Sequence, residues 1–260
     1  MGKVDPSAKI SVRGLTMSYG DFVVMEDLNF DVMDKDIFVI MGGSGCGKST
    51  LLRHMIGLKE PARGAVYHDG HDFTAADAAG RLSFIRRFGV MYQSGALWSS
   101  MTLAENIAMP LEEHTDLGAA EIRDLAAYKL ALVGLSGYED YYPAQVSGGM
   151  NKRAGIARAM ALDPDVLFLD EPGAGLDPLS SSRLDELILS LRDSLGSTFV
   201  IVTHELASIF AIANNSVFLD TETRKQGATG DPGELRERSD NEAVRIFLSR
   251  GDTSANRRQA

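Results

Sequence analysis

A lysine and a serine placed directly behind a run of glycines can hold a chain of phosphates. The stretch GGSGCGKST at 42–50 has these residues at the spacing G-x-x-x-x-G-K-[ST]. Gly42, Gly43, Gly45 and Gly47 let backbone N–H groups turn inward, with Ser44 and Cys46 between them. The apolar run DIFVIMG leads into the loop and a helix starts near Lys48, so the positive end of that helix faces anionic oxygens. Lys48 then reaches the β- and γ-phosphates of a nucleotide such as ATP, and Ser49 offers its hydroxyl to Mg2+. Thr50, at the same helix start, can donate toward the α-phosphate. Cys46, the only cysteine, reads as a small residue that fits the loop and not as a redox switch.

Two further stretches carry chemistry. DVLFLDEP at 165–172 is an apolar strand that ends in two carboxylates. Asp170 at its tip suits a Mg2+ shell. Glu171, one residue on, is placed to polarise an attacking water, help worth roughly 10²–10⁴-fold in rate. VSGGMNKR at 146–153 sets a serine and two glycines before a helical pattern. Ser147 can cap that helix, whose free N–H groups then favour negative charge. Residues 42–50 already saturate the phosphates within one chain, so a second such terminus makes sense if it closes on a nucleotide held by another copy.

Short β-rich runs position these residues. KISVRGLTMSY and VVMEDLNFDV are antiparallel in character, with Gly20-Asp21 as the turn between them. DIFVIMG, FGVMYQ, DVLFLDE, STFVIVTHE and SVFLD mostly alternate with helical stretches, the sign of a parallel sheet covered by helices. From about 95 to 160 the pattern turns helical, as in TLAENIAMPL and LGAAEIRDLAAYKLALVGL. The expected fold is α/β: a mixed parallel sheet core, a small antiparallel β subdomain and an inserted helical subdomain. Residues 231–250 read as a C-terminal extension of two short helices. The tail 251–260 lacks apolar anchors and is expected to be disordered.

The order of phosphate loop, glutamine after a strand, SGG helix, LFLDEP, GLDP and TH resembles the ATPase subunit of an ABC transporter, over roughly residues 10–230, which implies an ATPase domain at 8–230. The resemblance implies further roles. Tyr19 matches the aromatic that stacks on adenine. Gln93 matches the glutamine that touches Mg2+ and senses the γ-phosphate. Ser147, Gly148 and Gly149 match the signature loop, Asp177 the aspartate that crosses between subunits, and His204 the switch histidine on the γ-phosphate. It also implies a homodimer around two ATP molecules and a separate membrane permease. The permease would dock near residues 92–111, where Ala96, Leu97, Trp98 and Met101 offer an apolar surface. The segments QSGALW…MTLAENIAMPL and SGGM, with Met150 where most importers carry glutamine, are similar to the Mce/Mla-type systems that move phospholipids between bacterial membranes. That similarity implies a lipid-binding Mce-type subunit in the same complex and a seat on the cytoplasmic face of the inner membrane.

Composition narrows the field. A formal charge of −10 and a pI near 5.0 argue against a nucleic-acid surface, which needs a basic stripe. No apolar run approaches a membrane span and the N-terminus has no signal core, which points to a cytoplasmic location. Translation and DNA-repair relatives would carry paired cassettes, coiled coils or zinc sites, and none is visible. A GTPase would carry N-K-x-D, and a P-loop kinase an arginine-rich lid. The remaining rival is a small-solute importer, for example of polar amino acids; the cargo is chosen in the permease and not in this chain.

Overall fold

A computed structural model describes residues 4–93 and 95–250; the tail expected at 251–260 lies outside the described residues. The chain divides into two units, Met1–Arg81 with Val200–Ala260, and Leu82–Phe199. Strands and helices are numbered in chain order.

In the first unit β1 (Ala8–Tyr19) and β2 (Phe22–Met33) run antiparallel, from Ala8 opposite Met33 to Tyr19 opposite Phe22. Gly20, at φ 57, makes the two-residue turn with Asp21, as expected from the sequence. β4 (Arg63–His68) pairs antiparallel with β1, and β5 (His71–Asp72) completes the order β2-β1-β4-β5. Ile10, Val12, Leu15 and Met17 of β1 are fully buried, each stabilising the fold by about 1.5–3 kcal/mol. β3 (Ile37–Gly42) is buried at every residue, which requires cover on both faces. It lies parallel to β9 (Asn215–Asp220), which is antiparallel to β10 (Lys225–Gly230), and β8 (Thr198–Val202) flanks its other side. The helices here are α1 (Lys48–Met55), α7 (Leu206–Ile212), α8 (Pro232–Arg238) and α9 (Glu242–Ser249). The last two follow β10, and α9 buries Val244 and Leu248, one turn apart.

In the second unit β6 (Phe88–Met91) is parallel to β7 (Val166–Asp170). Between them come α3 (Leu103–His114), α4 (Ala119–Leu132), a 3-10 turn at Pro143–Gln145 and α5 (Gly148–Ala159). Thr102 starts α3 with a reciprocal cap: its hydroxyl accepts from the Glu105 N–H at 3.2 Å, and the Glu105 carboxylate accepts from the Thr102 N–H at 2.7 Å. The buried face of α3 is Leu103, Asn106, Ile107 and Leu111, a helical spacing with one polar intruder. After Pro172 the chain turns, and α6 (Pro178–Leu195) begins only with Asp177 as its cap and ends at Gly196, φ 66.

β4, β5 and α2 (Ala78–Ile85) are elements that the patterning does not announce. α2 buries none of its residues, so it has no apolar stripe to read, and β5 is two residues long.

Candidate nucleotide-binding and hydrolysis site

The phosphate loop lies in the first unit, where β3 runs into α1. Gly42 sits at φ +150, and a Cβ there would lie 2.6 Å from the Leu219 carbonyl oxygen and 2.8 Å from Cys46 Sγ. Gly47, at φ +98, precedes α1, and a Cβ there would lie 2.7 Å from Val24 Cγ1. Both positions demand glycine on two counts, backbone and space. Lys48 is buried, and its ammonium donates to the carbonyls of Gly42 and Gly43, each at 3.1 Å. A cation is thus held inside a ring of backbone at the N-terminal, electropositive end of α1. That fits a polyphosphate. Cys46 is buried and its burial pushes the thiol pKa up, which keeps it protonated and unreactive. Ser44 and Gly45 are exposed, and Ser49 and Thr50 half-buried.

Tyr19 ends β1 with 52% of its surface exposed. Its hydroxyl lies 3.5 Å from Thr50 Oγ1, and the Lys59 ammonium sits 3.0 Å from the centre of its ring. The Thr50 contact first, then the charge of Lys59, holds the phenol below its usual pKa. His204 is exposed, one residue past Thr203, whose N–H donates to the Ile40 carbonyl of β3 at 3.4 Å. It therefore stands at the end of the strand beside β3.

The acidic pair and the signature helix lie in the second unit. Asp170 and Glu171 are 7% and 8% exposed at the end of β7. Glu171 has φ +50, a left-handed conformation that costs a side-chain-bearing residue on the order of 1 kcal/mol or more. Lys152, on the second turn of α5, donates to the backbone carbonyls of both Gln93 and Glu171, the latter at 3.4 Å. Arg158, farther along α5, donates to the carbonyls of Ala96 at 2.6 Å and Gly95 at 3.3 Å. One helix thus grips the backbone at the glutamine and just after it, while the Gln93 side chain is exposed.

Ser147 caps α5, its hydroxyl accepting from the Met150 N–H at 3.2 Å, and Ser147 and Gly148 are exposed while Gly149 is half-buried. Asp177 caps α6, accepting from the N–H groups of Leu179 and Ser180 at 3.0 Å each and from the Ser180 hydroxyl. The Ser180 hydroxyl, then its N–H, lowers the Asp177 pKa. In a single copy Asp177 therefore has a structural duty.

Beyond Gln93, Trp98 is 56% exposed and Ala96 is exposed, while Leu97 and Met101 are half-buried. Asn106 organises this segment. It is fully buried, accepts from the Trp98 N–H at 2.7 Å, and donates to the carbonyls of Trp98, Met101 and Thr102 at 3.1, 3.2 and 2.9 Å. Lys59, Asn106, Lys152 and Arg158 were not singled out from the sequence. Asn106 alone left a trace there, as a polar residue on an apolar helical stripe.

Comparison with known proteins decides the family. The sequence profile of the ABC transporter family matches residues 25–174, a span that holds the phosphate loop, Gln93, the signature loop and the acidic pair. The chain is an ABC transporter ATPase. It is 40% identical to a "probable ribonucleotide transport ATP-binding protein mkl" of Mycobacterium leprae, over 95% of this chain and 71% of that one. It spans 66% of the length of the Mycobacterium tuberculosis protein of the same name, at 41% identity over 92% of this chain. It is 36% identical to the intermembrane phospholipid transport system ATP-binding protein MlaF of Haemophilus influenzae, over 94% of this chain and 91% of that protein. A solved dimeric ATP-binding cassette in a post-hydrolysis state with ADP and Pi superposes with a TM-score of 0.77, at 26% identity, covering 85% of this ATPase and 98% of that chain. The structure of cbiO1 from Clostridium perfringens, part of the ABC transporter complex cbiONQ, gives 0.81 at 26% identity, covering 94% and 96%.

Proposed function

We propose that two copies of this ATPase close around two Mg·ATP and drive a separate permease that moves phospholipid between bacterial membranes. The observation that carries the reading is the pair of anion-ready helix starts: α1 behind its glycine loop with Lys48 inside, and α5 capped by Ser147 with its first residues exposed. One chain needs only the first for its own nucleotide; the second serves the nucleotide of another copy.

The roles follow from chemistry. The loop 42–50 takes the phosphates and Tyr19 the base. Ser49, Gln93 and Asp170 would hold Mg2+, which takes few protein ligands beside phosphate oxygens and neutralises charge developing on the phosphoryl group. Glu171 accepts the proton of the attacking water, and His204 attends the γ-phosphate. Ser147, Gly148, Gly149 and Asp177 serve the second copy's site.

Docking of the permease near 92–111 is supported by the exposed Trp98 and by an adjacent cleft of about 310 Å³ lined by Ile85, Phe88, Val90, Met109 and Pro110. Among the described residues no helix is long and apolar enough to cross a membrane, so the ATPase would sit on the cytoplasmic face of the inner membrane through that permease. The MlaF relatives' name supports the phospholipid cargo; an Mce-type lipid-binding subunit would be a further partner. The mycobacterial relatives' name favours a second reading, a water-soluble phosphorylated solute.

Purification of the native complex from detergent-solubilised membranes separates the two. Bound phospholipid, and ATP hydrolysis that responds to phospholipid and not to ribonucleotides, is the expected result. A lipid-free complex stimulated by ribonucleotides or another water-soluble solute overturns the lipid assignment.

A further inference from the structure

We infer that Lys59 is a positioning residue for the base of ATP: it backs one face of Tyr19 so that the other face is held out as a fixed stacking platform. The inference rests on the proposed role of Tyr19 as the base-stacking aromatic. Three contacts carry it. The Lys59 ammonium sits 3.0 Å from the ring centre and donates to the Ser18 carbonyl at 3.0 Å, so it is pinned to the same strand end that carries the ring. The N–H groups of Leu58 and Lys59 donate to the Arg53 carbonyl at 2.9 and 3.2 Å, and Gly57 takes φ 76, so the closing turn of α1 fixes where the Lys59 stem leaves the backbone. The Tyr19 hydroxyl lies 3.5 Å from Thr50, at the opening turn of α1.

The helix that begins at the phosphate loop thus holds Tyr19 at two points. A cation on one face of an aromatic ring is attracted to its quadrupole and fixes the ring plane. With that face covered and 52% of the residue still exposed, the opposite face is the one left for a purine. The base platform and the phosphate loop then move as one body, and the base docks on a ring that has no rotamer left to lose.

The test compares binding of ATP and of inorganic tripolyphosphate, which has no base, to the full chain and its variants. Lys59→Met keeps the stem and removes the charge; it is expected to weaken ATP binding about two- to five-fold and to leave tripolyphosphate binding unchanged. Lys59→Arg, which also stacks on aromatic faces, should restore ATP binding. In a Tyr19→Ala background, Lys59→Met should cost nothing further, because the ring it positions is gone. Unchanged or tighter ATP binding in Lys59→Met, while Tyr19→Ala is weakened, overturns the inference. So does an equal loss for tripolyphosphate, which would make Lys59 a plain attractor of phosphate charge. Parental ATP affinity in Tyr19→Ala would sink the base-stacking role itself, and Lys59 with it.

Discussion

Lys48 donates to two carbonyls of its own loop, so the cation is in place before any phosphate arrives. Lys48→Ala is expected to lower ATP affinity by at least about ten- to a hundred-fold, the worth of a charge-assisted bond, while thermal unfolding stays cooperative. Titration calorimetry decides it, and near-parental affinity would remove the lysine from the site. This residue was legible in the sequence because its partners lie within seven positions of it and the glycines announce the turn. Lys59, Lys152 and Arg158 were not. Lys152 and Arg158 act on backbone carbonyls roughly 60 positions away, and Lys59 on a strand end 41 positions away. A carbonyl is present at every residue, so nothing in the letters marks which one is the acceptor. Asp177 shows the converse: its match to the family motif is plain in the sequence, whereas its capping of α6 is what the single chain displays.

At the scale of elements, the segment between the glutamine and α3 has its shape because one amide is buried beneath it. Asn106 makes four hydrogen bonds to residues 98, 101 and 102, and its loss takes this partner from the Trp98 N–H and the Met101 carbonyl, while the Trp98 and Thr102 carbonyls keep backbone partners. Asn106→Ala should cost about 1–3 kcal/mol of stability for those groups and loosen the loop that carries Trp98. Trp98 is the sole tryptophan, so the change can be read directly: its emission should shift and acrylamide should quench it more readily. Parental emission and quenching would contradict the role given to Asn106. α5 is the complementary case. Its start was legible from Ser147 and the glycines, a local cap, whereas its hold on the backbone at 93, 95, 96 and 171 emerges only once β6 and β7 lie side by side.

For the whole molecule, the decisive property is whether nucleotide joins two copies. In the role proposed for Glu171 the water loses its base, so Glu171→Gln should bind Mg·ATP and hydrolyse it roughly 10²–10⁴-fold more slowly. The nucleotide contacts are untouched, so the variant should accumulate as an ATP-dependent dimer in sedimentation. A monomer at saturating ATP, with the permease also present, would sink the two-copy reading. In a mixed pair, one Ser147→Arg copy should disable the site whose phosphate loop belongs to its unaltered partner. Loss at the site formed by the altered copy's own loop would contradict that arrangement.

The left-handed backbone at Glu171 sets stability against function at one position. The fold bends a chiral residue into a conformation that suits glycine, and it keeps a carboxylate at 8% exposure, away from water. The backbone bend opposes folding. Glu171→Gly would relieve it, giving a protein that melts later and turns over ATP far more slowly. A laboratory population selected for heat resistance alone would therefore drift toward glycine or asparagine at 171 and lose its engine before its shape.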